Sequence, residues 1–290
     1  GSTFEHYKGT QHLVFFVHGM GMNGHKHCLY LKHFIEHIDE RNEITKVHLA
    51  QALVGSLSLL TFKNTTAGIL KGANMIRAEL ELVIKACGDS LKYISLVGAS
   101  MGGLYLRCVL PHIVDMTNAE LCNFITLATP HFGVSGLDIK VSPFKLGLVQ
   151  TGCDLVVDSK DFSCLNNVNV MNLCEDYYLD VLKKFKRRIA YAPIFNDGIV
   201  PFPSAAMQLS YPRNYTDNPI QIEYKGVKTS IEYGKEPYII AHTDNYEKNN
   251  EYFAECESEE IKENIKYMHS RLVNDSMQWT IFHVSLDHRA

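Results

Sequence analysis

No stretch of this 290-residue chain approaches the roughly 20 consecutive apolar residues that cross a bilayer. The longest, around LVFFV and ALVGSLSLL, are far shorter, so no membrane-spanning segment is expected. There is no block of single-sign charge either: 28 basic residues face 32 acidic ones for a net charge of −4. Nothing in that balance draws the chain to a phosphate backbone, and a nucleic-acid partner is not expected. The eight cysteines, at 28, 87, 108, 122, 153, 164, 174 and 256, form no C-x-x-C pair, and several lie in apolar runs such as LRCVL. Buried free thiols in a reducing compartment, hence a cytoplasmic protein, fit this better than disulfides or a zinc site. The opening GSTFEHYKGT is polar and lacks the pattern of a secretory leader, and its Gly1-Ser2 resembles a cloning scar. With no internal repeat and no second core, one domain over residues 11–290 is expected, carrying two insertions.

What is present alternates. His12 to Val17, HLVFFV, is a continuous run of β-formers ending in the Gly-rich HGMGMNG, as a buried strand feeding a loop would. NTTAGILKGANMIRAELELVIKAC, 64–87, has apolar residues at helical spacing and a stop signal in the Gly of CGDS. LKYISLVG reads as a strand turning at Gly98, SMGGLYLRCVLPHI as a buried helix and NFITLATP as a third strand. Nearly all-apolar strands separated by helices predict an α/β class with a mostly parallel central sheet, covered by helices on both faces. From 133 to 170 the alternation lapses into short apolar pieces with Gly, Pro and Ser, a cap-like insertion. EDYYLDVLKKF resumes it as a helix and KRRIAYAPIF as a strand. Residues 210–250, rich in Tyr, Asn, Lys and Pro, predict a peripheral insertion with a hairpin about Lys225-Gly226. ESEEIKENIKYMHSRLVND is then a helix and WTIFHVSL a final strand.

The stretch LVGASMGG, 96–103, holds the pattern G-x-S-x-G, which alone recurs by chance. Its setting between a strand and a helix makes Ser100 the candidate nucleophile, with Gly98 and Gly102 leaving room for a tight bend. A serine hydroxyl attacks only when an imidazole takes its proton, and that imidazole needs a carboxylate to orient it. In a parallel sheet the loops at the carboxyl ends of the strands lie along one edge, so the partners should also follow strands. Asp197, in NDGIVP, follows a strand, whereas Asp115 follows a helix and Asp154 and Asp158 lie in the cap segment. For the base, His288 in LDHRA lies beyond the last strand and is preferred to His283 inside it. His131, in LATPHFG, also follows a strand but precedes the acid, and a rim or structural hydrogen-bonding role is expected for it. VHGMG, 17–21, follows the first strand where an oxyanion hole belongs, which makes the N–H groups of Met20 and Met101 the candidate donors. Gly19 allows close backbone approach there, and a loop-shaping hydrogen bond is expected of the His18 side chain.

With HGMG, GASMGG, ITLATPHFG and NDGIVP in the right order, the chain resembles the putative serine esterase family, a lipase-like group of α/β-hydrolases. NTTAGILKGANMIRAEL and FKRRIAYAPIFNDGIVPFPSA extend the likeness, which runs over about 11–208 and the last dozen residues. The resemblance implies an α/β-hydrolase fold, a Ser100/Asp197/His288 triad and hydrolysis of acyl or lipid esters without a cofactor. Such a substrate admits peripheral contact with a lipid surface. Ala99 stands where the family commonly has His, and His288 lies where the family places its base. Two other readings use the same residues: a non-catalytic lipid-binding or scaffold homologue, and acyl transfer to an acceptor other than water. No metal is expected, because the histidine-dense HGMGMNGHKHC lacks i, i+4 placement with a carboxylate and reads as a surface loop.

Overall fold

The structure, a computed structural model, describes residues 4–21, 24–37, 44–55, 58–134, 149–155, 157, 168–195, 200–209, 220–224, 227–231, 239–243 and 258–285. In chain order these form β1 (His12–Val17), α1 (Gly24–His37), β2 (Thr45–Leu49), α2 (Ser58–Thr65), α3 (Ile69–Cys87), β3 (Tyr93–Ala99), α4 (Met101–Met116) and β4 (Glu120–Leu127). There follow α5 (Val149–Leu155), α6 (Asp176–Leu182), β5 (Arg187–Phe195), α7 (Phe202–Ala206), β6 (Ile220–Tyr224), β7 (Val227–Ile231), β8 (Ile239–Thr243), α8 (Glu259–Leu272) and β9 (Thr280–Ser285).

Seven strands make one sheet in the order β2-β1-β3-β4-β5-β9-β8. The first six in that order run parallel, and β8 adds antiparallel to β9. The mostly parallel sheet with helices on both faces is therefore as the sequence predicts. Side-chain alternation shows how it forms. Leu13, Phe15 and Val17 of β1 enter the large cluster with α3 and α4, whereas Val14 and Phe16 turn to the other face. There they meet Val97 and Ala99 of β3 and the Cys28, Leu31 and Ile35 stripe of α1. The large cluster extends from Tyr7 to Ile281.

Four local expectations are revised. The histidine-dense run is not a loop throughout, since its backbone is helical from Gly24 onward. The apolar stripe that seats this helix starts only at Cys28, after Gly, His and Lys residues that carry no period. The helix expected over 64–87 is two helices, broken between Thr65 and Ile69 where Gly68 takes φ +98°. β3 runs through Gly98 to Ala99, so the turn falls at Ser100. Within 210–250, β6 and β7 pair antiparallel with Tyr224 opposite Val227, as the expected hairpin requires. The same segment also supplies β8 to the main sheet.

A buried polar cluster braces the β2 end of the sheet. The Tyr7 hydroxyl bonds His48 Nδ1 at 2.7 Å, and His48 Nε2 lies 2.7 Å from Glu79 Oε1 on α3. The same carboxylate accepts the N–H groups of Gln51 and Ala52, just beyond β2. Burial pushes the Glu79 pKa up, but the bond and charge of His48 with these N–H donors outweigh it, leaving the carboxyl below its usual value. Cys28, Cys87, Cys108, Cys122 and Cys174 keep their thiols outside any disulfide, and burial raises the pKa of Cys87 to about 11 and of Cys108 to about 12. Among the described residues no helix is long and apolar enough to cross a membrane.

Candidate active site

Ser100 is the single residue between the end of β3 and the start of α4, and its backbone sits at φ +51°, ψ −124°. That region is unfavourable for any residue with a side chain and persists only when the surroundings impose it. Here they do. Ser100 N–H donates to the Leu127 carbonyl at the end of β4 at 2.7 Å, and the Ser100 carbonyl accepts Gly103 N–H at 3.1 Å. The Thr129 hydroxyl, from the loop after β4, lies 2.9 Å from the Ser100 carbonyl and 3.4 Å from that of Gly98.

Glycine makes this crossing dense. A Cβ on Gly98 would lie 2.4 Å from the Gly103 backbone, and one on Gly102 would lie 2.2 Å from the Val17 carbonyl at the end of β1. The two glycines singled out for the bend thus have distinct tasks: Gly98 lets α4 start close to its own strand, and Gly102 presses that start against β1. Gly103 completes the set, since a Cβ there would reach Thr129 Oγ1 at 2.2 Å. Nothing in the sequence flagged Gly103 or Thr129, although the doubled glycine of GASMGG and the Thr of LATPH were visible.

The loop after β1 carries His18, Gly19, Met20 and Gly21. His18 is fully buried, and its Nδ1 lies 3.0 Å from the Gly19 carbonyl, the loop-shaping bond expected of it. Because a carbonyl only accepts, Nδ1 bears the proton. Gly21, at φ +68°, donates its N–H to Thr65 Oγ1 at 2.9 Å, and the Thr65 carbonyl takes the Tyr105 hydroxyl of α4 at 2.6 Å. The loop is thereby tied to the helix that Ser100 begins. Met101, the first residue of α4, is buried, and Met20 is partly buried against the main core. A first-turn N–H such as that of Met101 has no acceptor within its own helix.

His131 is fully buried. Its Nε2 meets Thr126 Oγ1 at 3.0 Å, and its Nδ1 faces an Arg107 guanidinium nitrogen at 3.3 Å. Burial, reinforced by the Arg107 charge, holds the imidazole pKa well below its ordinary value. The wholly buried Arg107 also donates to the Leu173 carbonyl at 2.8 Å. This histidine is a brace of the β4 loop, and the structure gives it the hydrogen-bonding role expected of it. His283 lies within β9, buried edge-on against Phe202, with its Nε2 3.4 Å from the Gln208 amide nitrogen. Asp154, set aside as a cap residue, accepts the Ile69 N–H at 2.6 Å at the start of α3. Asp115 falls inside α4. Asp197 and His288 lie outside the described residues.

The profile of the family described as putative serine esterase (DUF676) matches residues 8–210. Putative lipase YDL109C of Saccharomyces cerevisiae is 34% identical over 130 residues, 41% of this chain and 19% of that protein. Putative lipase ROG1 of the same yeast is 28% identical over 213 residues, 68% of this chain and 28% of that protein. The matched region thus spans a quarter or so of these relatives' length. Among solved structures, Est1E from Butyrivibrio proteoclasticus overlays 70% of this chain and 75% of its own with a TM-score of 0.42 at 14% identity. The sheet order, with six parallel strands and β8 antiparallel at one edge, is that of an α/β fold.

Proposed function

This chain belongs to the putative serine esterase family, and from that premise we propose that it hydrolyses carboxylic esters of acyl or lipid type through an acyl-enzyme on Ser100. The observation that carries the reading is the positive φ of Ser100 at a strand-to-helix turn, +51°. Backbone strain of this kind clusters at functional sites, and this turn lies at the carboxyl edge of the sheet, where the loops after the strands converge.

In the proposed reaction Ser100 Oγ adds to the ester carbonyl while His288 takes the hydroxyl proton and Asp197 orients the imidazole. The N–H groups of Met20 and Met101 hold the oxyanion. Collapse of the tetrahedral intermediate expels the alcohol, which receives the proton from His288. A water then repeats the sequence on the acyl-enzyme and releases the acid. Residues 11–290 act as one unit, with 133–170 as the cap over an apolar acyl site and 210–250 as an insertion that lends β8 to the main sheet. The expected setting is the cytoplasm, with peripheral contact to a lipid surface.

A fluorophosphonate probe tests this directly: one equivalent should attach at Ser100, and none to Ser100→Ala. Folded protein that stays unlabelled at saturating probe would overturn the proposal. Asp197→Asn and His288→Gln should each slow labelling at least about a hundredfold if the triad is assigned correctly. Product analysis with a p-nitrophenyl acyl ester, with and without an added alcohol, separates hydrolysis from acyl transfer.

A further inference from the structure

We propose that His18 and Thr129 are positioning residues, each holding from behind one of the two peptide groups whose N–H forms the oxyanion hole. This rests on the serine-hydrolase reading above. A trans peptide points its C=O and N–H in opposite directions, and no cis peptide occurs among the described residues. Fixing the carbonyl of such a unit therefore fixes the direction of its N–H.

The Met20 N–H belongs to the peptide whose carbonyl is that of Gly19, and this carbonyl is the acceptor of His18 Nδ1–H at 3.0 Å. The Met101 N–H belongs to the peptide whose carbonyl is that of Ser100, and this one accepts the Thr129 hydroxyl at 2.9 Å. Two donors on different loops thus act in the same way on the two peptides that matter. His18 and Thr129 are both fully buried, where hydrogen bonds in series strengthen one another. A donor on the C=O therefore makes the N–H of the same unit a better donor in turn. Gly103 admits the Thr129 hydroxyl, because a Cβ there would come within 2.2 Å of it.

A brace of the loop alone would make a different prediction from a device that aims an N–H. The test uses the full chain with Thr129→Val, Thr129→Ser, His18→Phe and His18→Asn, whose amide can stand in for Nδ1–H. The readouts are kcat and KM on a short-chain p-nitrophenyl ester, inhibition by an aryl trifluoromethyl ketone, and Tm. The ketone forms the same tetrahedral oxyanion when Ser100 Oγ adds to it. Thr129→Val should lower kcat about tenfold and weaken the ketone by a similar factor, with KM changed less than about twofold. Thr129→Ser should restore both, and His18→Asn should outperform His18→Phe. If His18→Phe does not fold, the threonine pair decides alone. A Thr129→Val enzyme with wild-type kcat and ketone affinity, or losses that Thr129→Ser fails to restore, would overturn the proposal. A wild-type protein that takes up no fluorophosphonate at Ser100 would overturn the hydrolase reading and this one with it. Labelled wild type with an unaffected Thr129→Val would overturn the positioning alone.

Discussion

Two places at the carboxyl edge of the sheet are held by opposite means. At the Ser100 elbow, the turn from β3 into α4, the strands β3 and β1, α4 and the β4 loop approach so closely that hydrogens replace side chains at Gly98, Gly102 and Gly103, and the bonds are between neutral groups. Behind β2 the chain is held by a carboxylate, an imidazole and a phenol bonded in a row, with two backbone N–H groups on the carboxylate. The first place fails when an atom is added and the second when one is taken away. The difference suits their tasks. The turn of the proposed nucleophile must hold one strained residue to within fractions of an ångström, which contact between backbones does well. A brace needs only to be hard to pull apart, which a satisfied buried ion does well.

The largest expected effect separates chemistry from support. Ser100→Ala should lower ester turnover at least about a thousandfold, more than about 4 kcal/mol of barrier, while leaving the unfolding transition in place. Glu79→Ala should do the reverse. It orphans His48 and the N–H groups of Gln51 and Ala52, costing roughly 3 kcal/mol in urea unfolding while the folded fraction keeps its turnover. Gly102→Ala tests the packed side of the comparison. Its methyl meets the Val17 carbonyl, which cannot swing away, and a loss of roughly 2 kcal/mol together with lower activity is expected. Ser100→Gly should gain about 1 kcal/mol as the strain at φ +51° is released, again with turnover abolished.

The smallest effect is in pH dependence, and there the two places diverge again. His131 is kept neutral by burial and by Arg107, so below about pH 6.5 the unfolded chain binds a proton that the folded chain refuses. Stability therefore falls on acidification from that point downward, and His131→Gln should flatten Tm between pH 7 and 5. Part of the slope should remain, because burial also lowers the His269 pKa. The Glu79 carboxyl, held below its ordinary value of 4.5, contributes above that pH and is lost as the pH falls through it. A Glu79→Gln chain should accordingly differ from wild type in its acid unfolding below about pH 4.5, and His131→Gln above it.

Much of the frame was legible because hydrophobic period is a local property. HLVFFV, YISLVG and RRIAYAPIF declare buried strands within a few residues, and G-x-S-x-G between strand and helix declares the elbow. Where the sequence was silent or misleading, the deciding contact was distant. TKVHL is a short edge strand, half-exposed at its start, and only pairing with β1 makes it one. The first turn of α1 has no apolar period of its own. Arg107 lies in an apolar helix with nothing to show that its guanidinium is wholly buried against the chain around Leu173. Thr129 and His18 are ordinary polar residues until the carbonyls they bond are known. The acid and base were inferred from their place after strands, and Asp197 and His288 stand as part of the proposal.

The strand order has a consequence for how the molecule assembles. Among the described residues β9 is the last strand in sequence, yet it lies inside the sheet with β5 on one side and β8 on the other. Until residues 280–285 arrive, β5 presents a bare edge and β8 has no partner in the main sheet. A chain emerging from the N-terminal end can pair β1 through β5 first, but it carries an open template for wrong pairing until the closing strand slots in. Trp279, immediately before β9, is buried against Phe124 of β4 and His131 of its loop. Its fluorescence should therefore report the closing step rather than the earlier ones, as a late phase in refolding that a chain ending before residue 279 cannot show.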